Sequence, residues 1–144
     1  GHEALVDEAL RLFDKVVVGV GANVAKRGLL AVEQRVKLIE DIYRDNDRVE
    51  VAAYDTLTTD FARSVGATAL VRGVRNTVDF EYEQKHALYN RAHNPRAETL
   101  YMPADPAFDG ISSTLARERM KRGESLEGIL PAAVIAWINA HPRA

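Results

Sequence analysis

The chain has 144 residues, no cysteine and a formal net charge of −2, with 47% hydrophobic and 28% charged residues. Such a composition suits one globular domain with its own core. It excludes disulfides, thiol catalysis and thiolate metal sites, offers no broad positive field for nucleic acid, and holds no apolar run near the roughly 20 residues that span a bilayer. No signal or transit peptide is visible, so a soluble, intracellular protein is expected, with no membrane partner.

In chain order, residues 3–13 set Leu5, Val6, Ala9, Leu10 and Phe13 on one helical stripe. The run Val16-Val17-Val18-Gly19-Val20-Gly21 has no polar alternation. It predicts a strand buried on both faces, as in a parallel sheet. Residues 23–30 read as a loop carrying Lys26 and Arg27, and 32–44 as a helix with Val32, Val36, Ile39 and Tyr43 on one side. Asn46-Asp47 is a turn signal. Residues 49–54 predict a second strand and 57–65 a short helix, with Gly66 at its C′ position.

Residues 69–71 predict a third strand, bounded by Gly66 and Gly73. The chain then breaks at Arg72-Gly73-Val74-Arg75 and resumes as a helix from about Asp79 to Ala92, stopped by Asn94-Pro95. Phe80 and Ala87 read as core, and His86 and His93 as non-ligands. A last strand is expected at 99–102, a loop at 105–110, and a helix at 112–122 closed by Gly123. A terminal helix at 131–140 packs through Ile135, Trp137 and Ile138, with Pro131 in its first turn. The predicted fold is α/β, a doubly wound, Rossmann-like parallel sheet with helices on both faces, in a single domain spanning 1–144.

In such sheets ligands bind outside the carboxyl ends of the strands. Arg72 and Arg75 flank Gly73 there. Arginine offers a planar fork that matches phosphate oxygens, and glycine lets backbone approach a ligand closely. The stretch reads as a phosphate site; solvated surface arginines are the plain alternative. Ile111-Ser112-Ser113-Thr114 opens a helix, either as an ordinary cap or as an anion site. Lys26 sits in a loop at another carboxyl end, either solvated or able to swing onto a phosphate. Gly1-His2 precedes the first helix; His2 either donates a hydrogen bond to a phosphate or is a remnant of a fusion tag. Glu83, one turn into its helix, suits either a nucleoside contact or the holding of an arginine.

Together these residues resemble the bacterial phosphopantetheine adenylyltransferases. The resemblance rests on Gly1-His2, Lys26, Arg72-Gly73-Val74-Arg75, Asp79-Phe80-Glu81-Tyr82-Glu83, Asn90-Arg91 and Ile111-Ser112-Ser113-Thr114-Leu115-Ala116-Arg117. Asp55, Leu57 and Asp60-Phe61-Ala62-Arg63 add to it, and it runs from Gly1 to about Pro131. It implies adenylyl transfer from ATP to 4′-phosphopantetheine, giving dephospho-coenzyme A and pyrophosphate. Mg²⁺ would travel with ATP and need no dedicated protein ligand. Dephospho-coenzyme A and coenzyme A would be further ligands, and a cytoplasmic homohexamer would be the assembly.

By the same resemblance His2 hydrogen-bonds the α-phosphate, and Lys26 holds the pantetheine phosphate and balances the transition state. Arg72 binds the incoming substrate, and Thr58 aligns with a position touching the pantetheine arm. Arg75, Gly73 and Val74, the loop Phe108-Asp109-Gly110-Ile111 and the helix start Ser112-Ser113-Thr114 bind ATP, with Glu83 on its nucleoside side. Family members carry a strand and a G-[ST]-F-D-P turn ahead of the Gly-His pair, which this sequence does not show. The first helix here follows no strand, so a central strand upstream of Gly1 is expected to be missing, leaving its neighbours without a shared partner. A sister nucleotidyltransferase with another phosphate acceptor, a non-catalytic nucleotide-binding module and a ligand-free interaction protein are the competing readings.

Overall fold

The computed structural model describes residues 1–22 and 29–142. The elements run α1 (His2–Leu12), β1 (Val16–Gly21), α2 (Val32–Ile42), β2 (Val49–Tyr54), α3 (Thr58–Ser64), β3 (Ala69–Val74), α4 (Thr77–His93), β4 (Glu98–Pro103), a 3₁₀ turn (Pro106–Phe108), α5 (Ser113–Arg122) and α6 (Ala132–Ala140). The architecture is the expected α/β one, with parallel strands and intervening helices in a single domain.

Among the described residues the strands pair two by two. β1 lies parallel to β2, from Val16 opposite Val49 to Gly21 opposite Tyr54. β3 lies parallel to β4, from Ala69 opposite Glu98 to Val74 opposite Pro103. Among the described residues the two ladders do not pair with each other, as expected for neighbours left without a shared central strand. α1 packs on both β1 and β3, α2 on β1 and β2, and α4 on β3 and β4. The buried apolar residues are mostly small, with Ala9, Val20, Leu38, Ala62, Ala97, Ala116 and Leu126 at the core.

Several boundaries differ from the sequence reading. β3 does not break at Arg72: Arg72, Gly73 and Val74 stay in the ladder opposite Tyr101, Met102 and Pro103. The parallel partner supplies hydrogen bonds that a local reading of a glycine between arginines does not foresee. α4 starts at Thr77 instead of about Asp79 because Asn76 caps it, its side chain accepting from the Asp79 N–H at 2.9 Å. Phe80 is not core; it is 40% exposed, edge-on to Tyr101, and α4 buries no residue fully. Pro131 stands at the N-cap of α6, not in its first turn, and its carbonyl accepts from the Val134 and Ile135 N–H groups. Gly66 and Gly123, at φ +67, close α3 and α5 as expected.

The amino-terminal end of the first ladder is fixed by one side chain. Arg48 donates to the carbonyls of Leu10, Phe13 and Asp14, the last at 2.9 Å. The carbonyl of Leu10 is one that the last turn of α1 leaves without a partner, and those of Phe13 and Asp14 follow directly at the helix end. Arg48 thereby ties α1 to the start of β2.

Candidate active site at the carboxyl end of β3

Arg72 and Arg75 leave the end of β3 just ahead of α4. Asp79 and Glu83, one helical turn apart, present their carboxylates on one face of α4. Glu83 takes Arg72 in a fork, Nε to Oε2 and Nη2 to Oε1, both at 2.8 Å. Asp79 takes Arg75, whose Nε donates at 2.9 Å and whose backbone N–H donates at 3.2 Å. Each pairing raises its arginine above the ordinary guanidinium value, and the Arg75 bonds hold Asp79 below the usual carboxylate range. The result is two aligned guanidinium groups, each with about half of its side chain open to solvent.

His2 begins α1, whose Leu5 packs over β3; a Cβ on Gly73 would touch Leu5 Cδ2 at 3.5 Å. That is ordinary contact, so protein packing alone does not demand glycine at 73. Desolvation, then the amino-terminal charge and Arg72, hold His2 below the ordinary imidazole value. The ring is therefore neutral near pH 7, with one N–H to donate.

On the other side of Arg75, the loop Phe108-Asp109-Gly110-Ile111 follows the 3₁₀ turn, whose cap is Asp105. Asp109 lies within electrostatic reach of Arg75. Ser112 is the N-cap of α5, its Oγ accepting from the Leu115 N–H at 3.1 Å. Thr114 Oγ1 accepts from Arg117 at 3.2 Å, and Ser113 is the first helical residue. A cavity of about 440 Å³ opens beside Arg75 between Val74, Phe80, Tyr101, Met102 and Pro103. A second, of about 330 Å³, lies at the amino end of β2 among Glu40, Tyr43 and Arg44, away from these groups. Thr58 opens α3, its hydroxyl 3.2 Å from that of Tyr54. Lys26 lies outside the described residues.

The structure thus brings His2, Arg72 and Glu83 together, and Arg75 beside Asp79 and Asp109. Glu83 holds an arginine here, each of its carboxylate oxygens accepting from Arg72. Sequence reasoning missed Asp79 as the partner of Arg75, although their four-residue spacing was a usable signal.

A sequence profile of the cytidylyltransferase-like family matches residues 1–119. The phosphopantetheine adenylyltransferase of Levilactobacillus brevis is 42% identical over 134 residues, spanning 93% of this chain and 83% of that protein. That of Phocaeicola vulgatus is 42% identical over 131 residues, or 91% and 86% of the two chains. The Geotalea daltonii protein of the same name is 36% identical over 140 residues, or 97% and 87%. Identity of this level over nine-tenths of the chain, together with the paired arginines at the end of β3, shows that the chain belongs to the phosphopantetheine adenylyltransferase family.

Proposed function

We propose that this protein transfers the adenylyl group of ATP to 4′-phosphopantetheine, forming dephospho-coenzyme A and pyrophosphate. The observation that carries the reading is the pair of carboxylate-aligned arginines at one strand end, Arg72 on Glu83 and Arg75 on Asp79, in a chain of this family. An oxygen of the acceptor phosphate attacks the α-phosphorus. The bond to the α–β bridging oxygen breaks, and pyrophosphate leaves with that electron pair. The nucleophile is already an anion, so positioning and charge stabilisation supply the catalysis and no general base is required.

In this reading Arg72 and Lys26 bind the acceptor phosphate, with Thr58 along the arm. Arg75, the backbone at Gly73 and Val74, and the start of α5 at Ser112, Ser113 and Thr114 hold the ATP phosphates. The loop from Phe108 to Ile111 and the cavity beside Arg75 take the nucleoside. Neutral His2 donates to the α-phosphate as charge develops on it. Glu83 serves the site through Arg72. Mg²⁺ enters with ATP as its counter-ion. Dephospho-coenzyme A, and coenzyme A with the same arm, are expected in the same groove.

A homohexamer in the cytoplasm completes the proposal. Val78, Tyr82 and Leu88 on α4 contribute large exposed apolar side chains. Among the described residues, no helix is long and apolar enough to cross a membrane.

The test is pyrophosphate release from ATP with and without 4′-phosphopantetheine. Release that depends on the acceptor is the expected result. Release only with nicotinamide mononucleotide would overturn the acceptor, and ATP binding without release would overturn the reaction.

A further inference from the structure

Gly21 ends β1 at the carboxyl edge of the strands, opposite Tyr54, whose ring stacks on Phe61 at 4.5 Å and lies over Gly19. The next residue, Ala22, donates its N–H to the Tyr54 carbonyl at 2.7 Å. From α2, Nη2 of Arg35 donates to the Gly21 carbonyl at 3.4 Å. The exit of β1 is therefore held twice, by the backbone of β2 and by a side chain of the helix that follows. Tyr54 is within electrostatic reach of Arg72, so this exit lies on the Arg72 side of the edge.

Arg35 is a poor choice for stability alone. α2 runs back over the first ladder from the carboxyl edge, so Arg35 stands in its first turn. A cation there opposes the helix dipole. The helix start does not need it, because Gln34 Oε1 already accepts from the Ala31 N–H at 3.2 Å. The Arg35 Nε is enclosed and, among the described residues, has no hydrogen-bond partner. An unmet buried donor destabilises the fold. An unbranched apolar side chain would avoid both penalties. What the guanidinium adds is a donor that reaches from the helix to the strand end.

We propose that Arg35 is a positioning residue for the phosphate acceptor: by holding the Gly21 carbonyl it fixes the end of β1 from which the chain continues to Lys26. The proposal rests on the adenylyl-transfer reading for its acceptor, a phosphomonoester, and for the part of Lys26 in binding it. Arg35 itself touches no substrate; it acts through the strand end.

Arg35→Met tests it, because methionine keeps an unbranched apolar stem and removes the donor. Calorimetry on the full chain should show 4′-phosphopantetheine bound about fivefold more weakly, the worth of one hydrogen bond. Affinity for ATP should stay within about twofold, since a single lost bond on the Arg72 side leaves the Arg75 side intact. The melting temperature should hold or rise, because the unmet donor and the misplaced charge are gone. A residue that only braces the fold gives the opposite result, a lower melting temperature with equal losses for both ligands. That result, or failure of Arg35→Met to fold, would overturn the proposal. Arg35→Lys, which keeps a charged donor, should bind the acceptor more tightly than Arg35→Met; equal affinities would also overturn it. In a Lys26→Ala background the Arg35→Met loss should vanish, as for two residues acting through one contact. Additive losses would mean that Arg35 does not act through Lys26, and the idea would fall. Pyrophosphate release from the same proteins separates it from the reaction it rests on. Acceptor binding weakened by Arg35→Met, with no release from the unaltered chain, sinks the reaction and keeps the positioning role. Turnover and acceptor binding untouched by Arg35→Met sink the role and keep the reaction. No acceptor binding to the unaltered chain sinks both.

Discussion

Arg72 and Glu83 meet in a planar fork with both contacts at 2.8 Å, although they stand eleven residues apart and on different elements. Glu83 is the more enclosed partner, with 12% of its side chain exposed against 52% for Arg72. The carboxylate therefore orients the guanidinium while leaving its outer face open. Charged hydrogen bonds contribute about 1.5–3 kcal/mol each, but solvent at Arg72 screens the pair and lowers its worth to about 1 kcal/mol. Glu83→Ala is expected to raise the KM for 4′-phosphopantetheine about five- to tenfold, with a smaller effect on ATP. A larger effect on ATP would return Glu83 to a nucleoside contact.

The two arginines should divide the substrates. Arg72→Ala is expected to weaken 4′-phosphopantetheine, and Arg75→Ala to weaken ATP, each by about 10- to 100-fold, the range for a lost charge-assisted pair. Calorimetric Kd values for both ligands on both variants check this. Equal losses on both ligands would show one shared anion hole instead of two subsites.

His2 carries a pH signature. Its imidazole is held below the ordinary value of about 6.5, so the folded chain takes up this proton less readily than the unfolded chain. The resulting cost to stability begins as pH falls through about 6.5 and is complete below the folded-state pKa. An NMR titration of His2 should give a midpoint below that of a free histidine. Arg72→Gln should move it part of the way back, because Arg72 is the smallest of the three causes and desolvation the largest. His2→Ala should lower kcat about 10²- to 10³-fold, the usual loss of one transition-state donor. A change confined to KM would remove that role.

Much of the fold around this site is legible in the amino-acid sequence itself. The Val-rich run of β1, the glycine after α3 and the hydroxyls opening α5 mark their elements correctly, because apolar runs, left-handed caps and N-caps are local signals; the expected burial of β1 on both faces does not follow, since Val20 alone of that strand is buried. The misreadings are non-local. Arg72 to Val74 look like a turn in sequence, yet the β4 ladder keeps them extended. Phe80 looks like core by residue type, yet Tyr101 meets only its edge and solvent takes the rest. The Arg48 clamp on three carbonyls at the end of α1 spans more than thirty residues and has no sequence pattern.

That clamp makes a prediction about stability alone. Arg48→Ala leaves the carbonyls of Leu10, Phe13 and Asp14 to water. For an exposed cation on helix-end carbonyls, the loss should be about 1–2 kcal/mol. At this chain length the melting temperature should drop by about 3–8 °C. Pyrophosphate release measured well below the transition should be unchanged, since Arg48 stands at the start of β2 and the site at the strand ends. An unchanged melting curve would mean the three bonds add nothing beyond solvation.

Gly19→Ala tests whether the aromatic stack over β1 sets the acceptor side of the site. The added methyl would lie 2.7 Å from Phe61 and 3.0 Å from Tyr54, inside real contact distances. Both obstacles are rings locked face to face, and Phe61 is anchored in α3, so neither can swing aside like the end of a flexible chain. Overpacking of this kind costs about 1–3 kcal/mol. If the stack yields by tilting, the Tyr54 hydroxyl leaves Thr58, and affinity for 4′-phosphopantetheine should fall while that for ATP holds. If β1 yields instead, stability should fall with both affinities intact. Melting curves and the two Kd values, taken on the same protein, distinguish a ring pair that positions a substrate from one that only fills space.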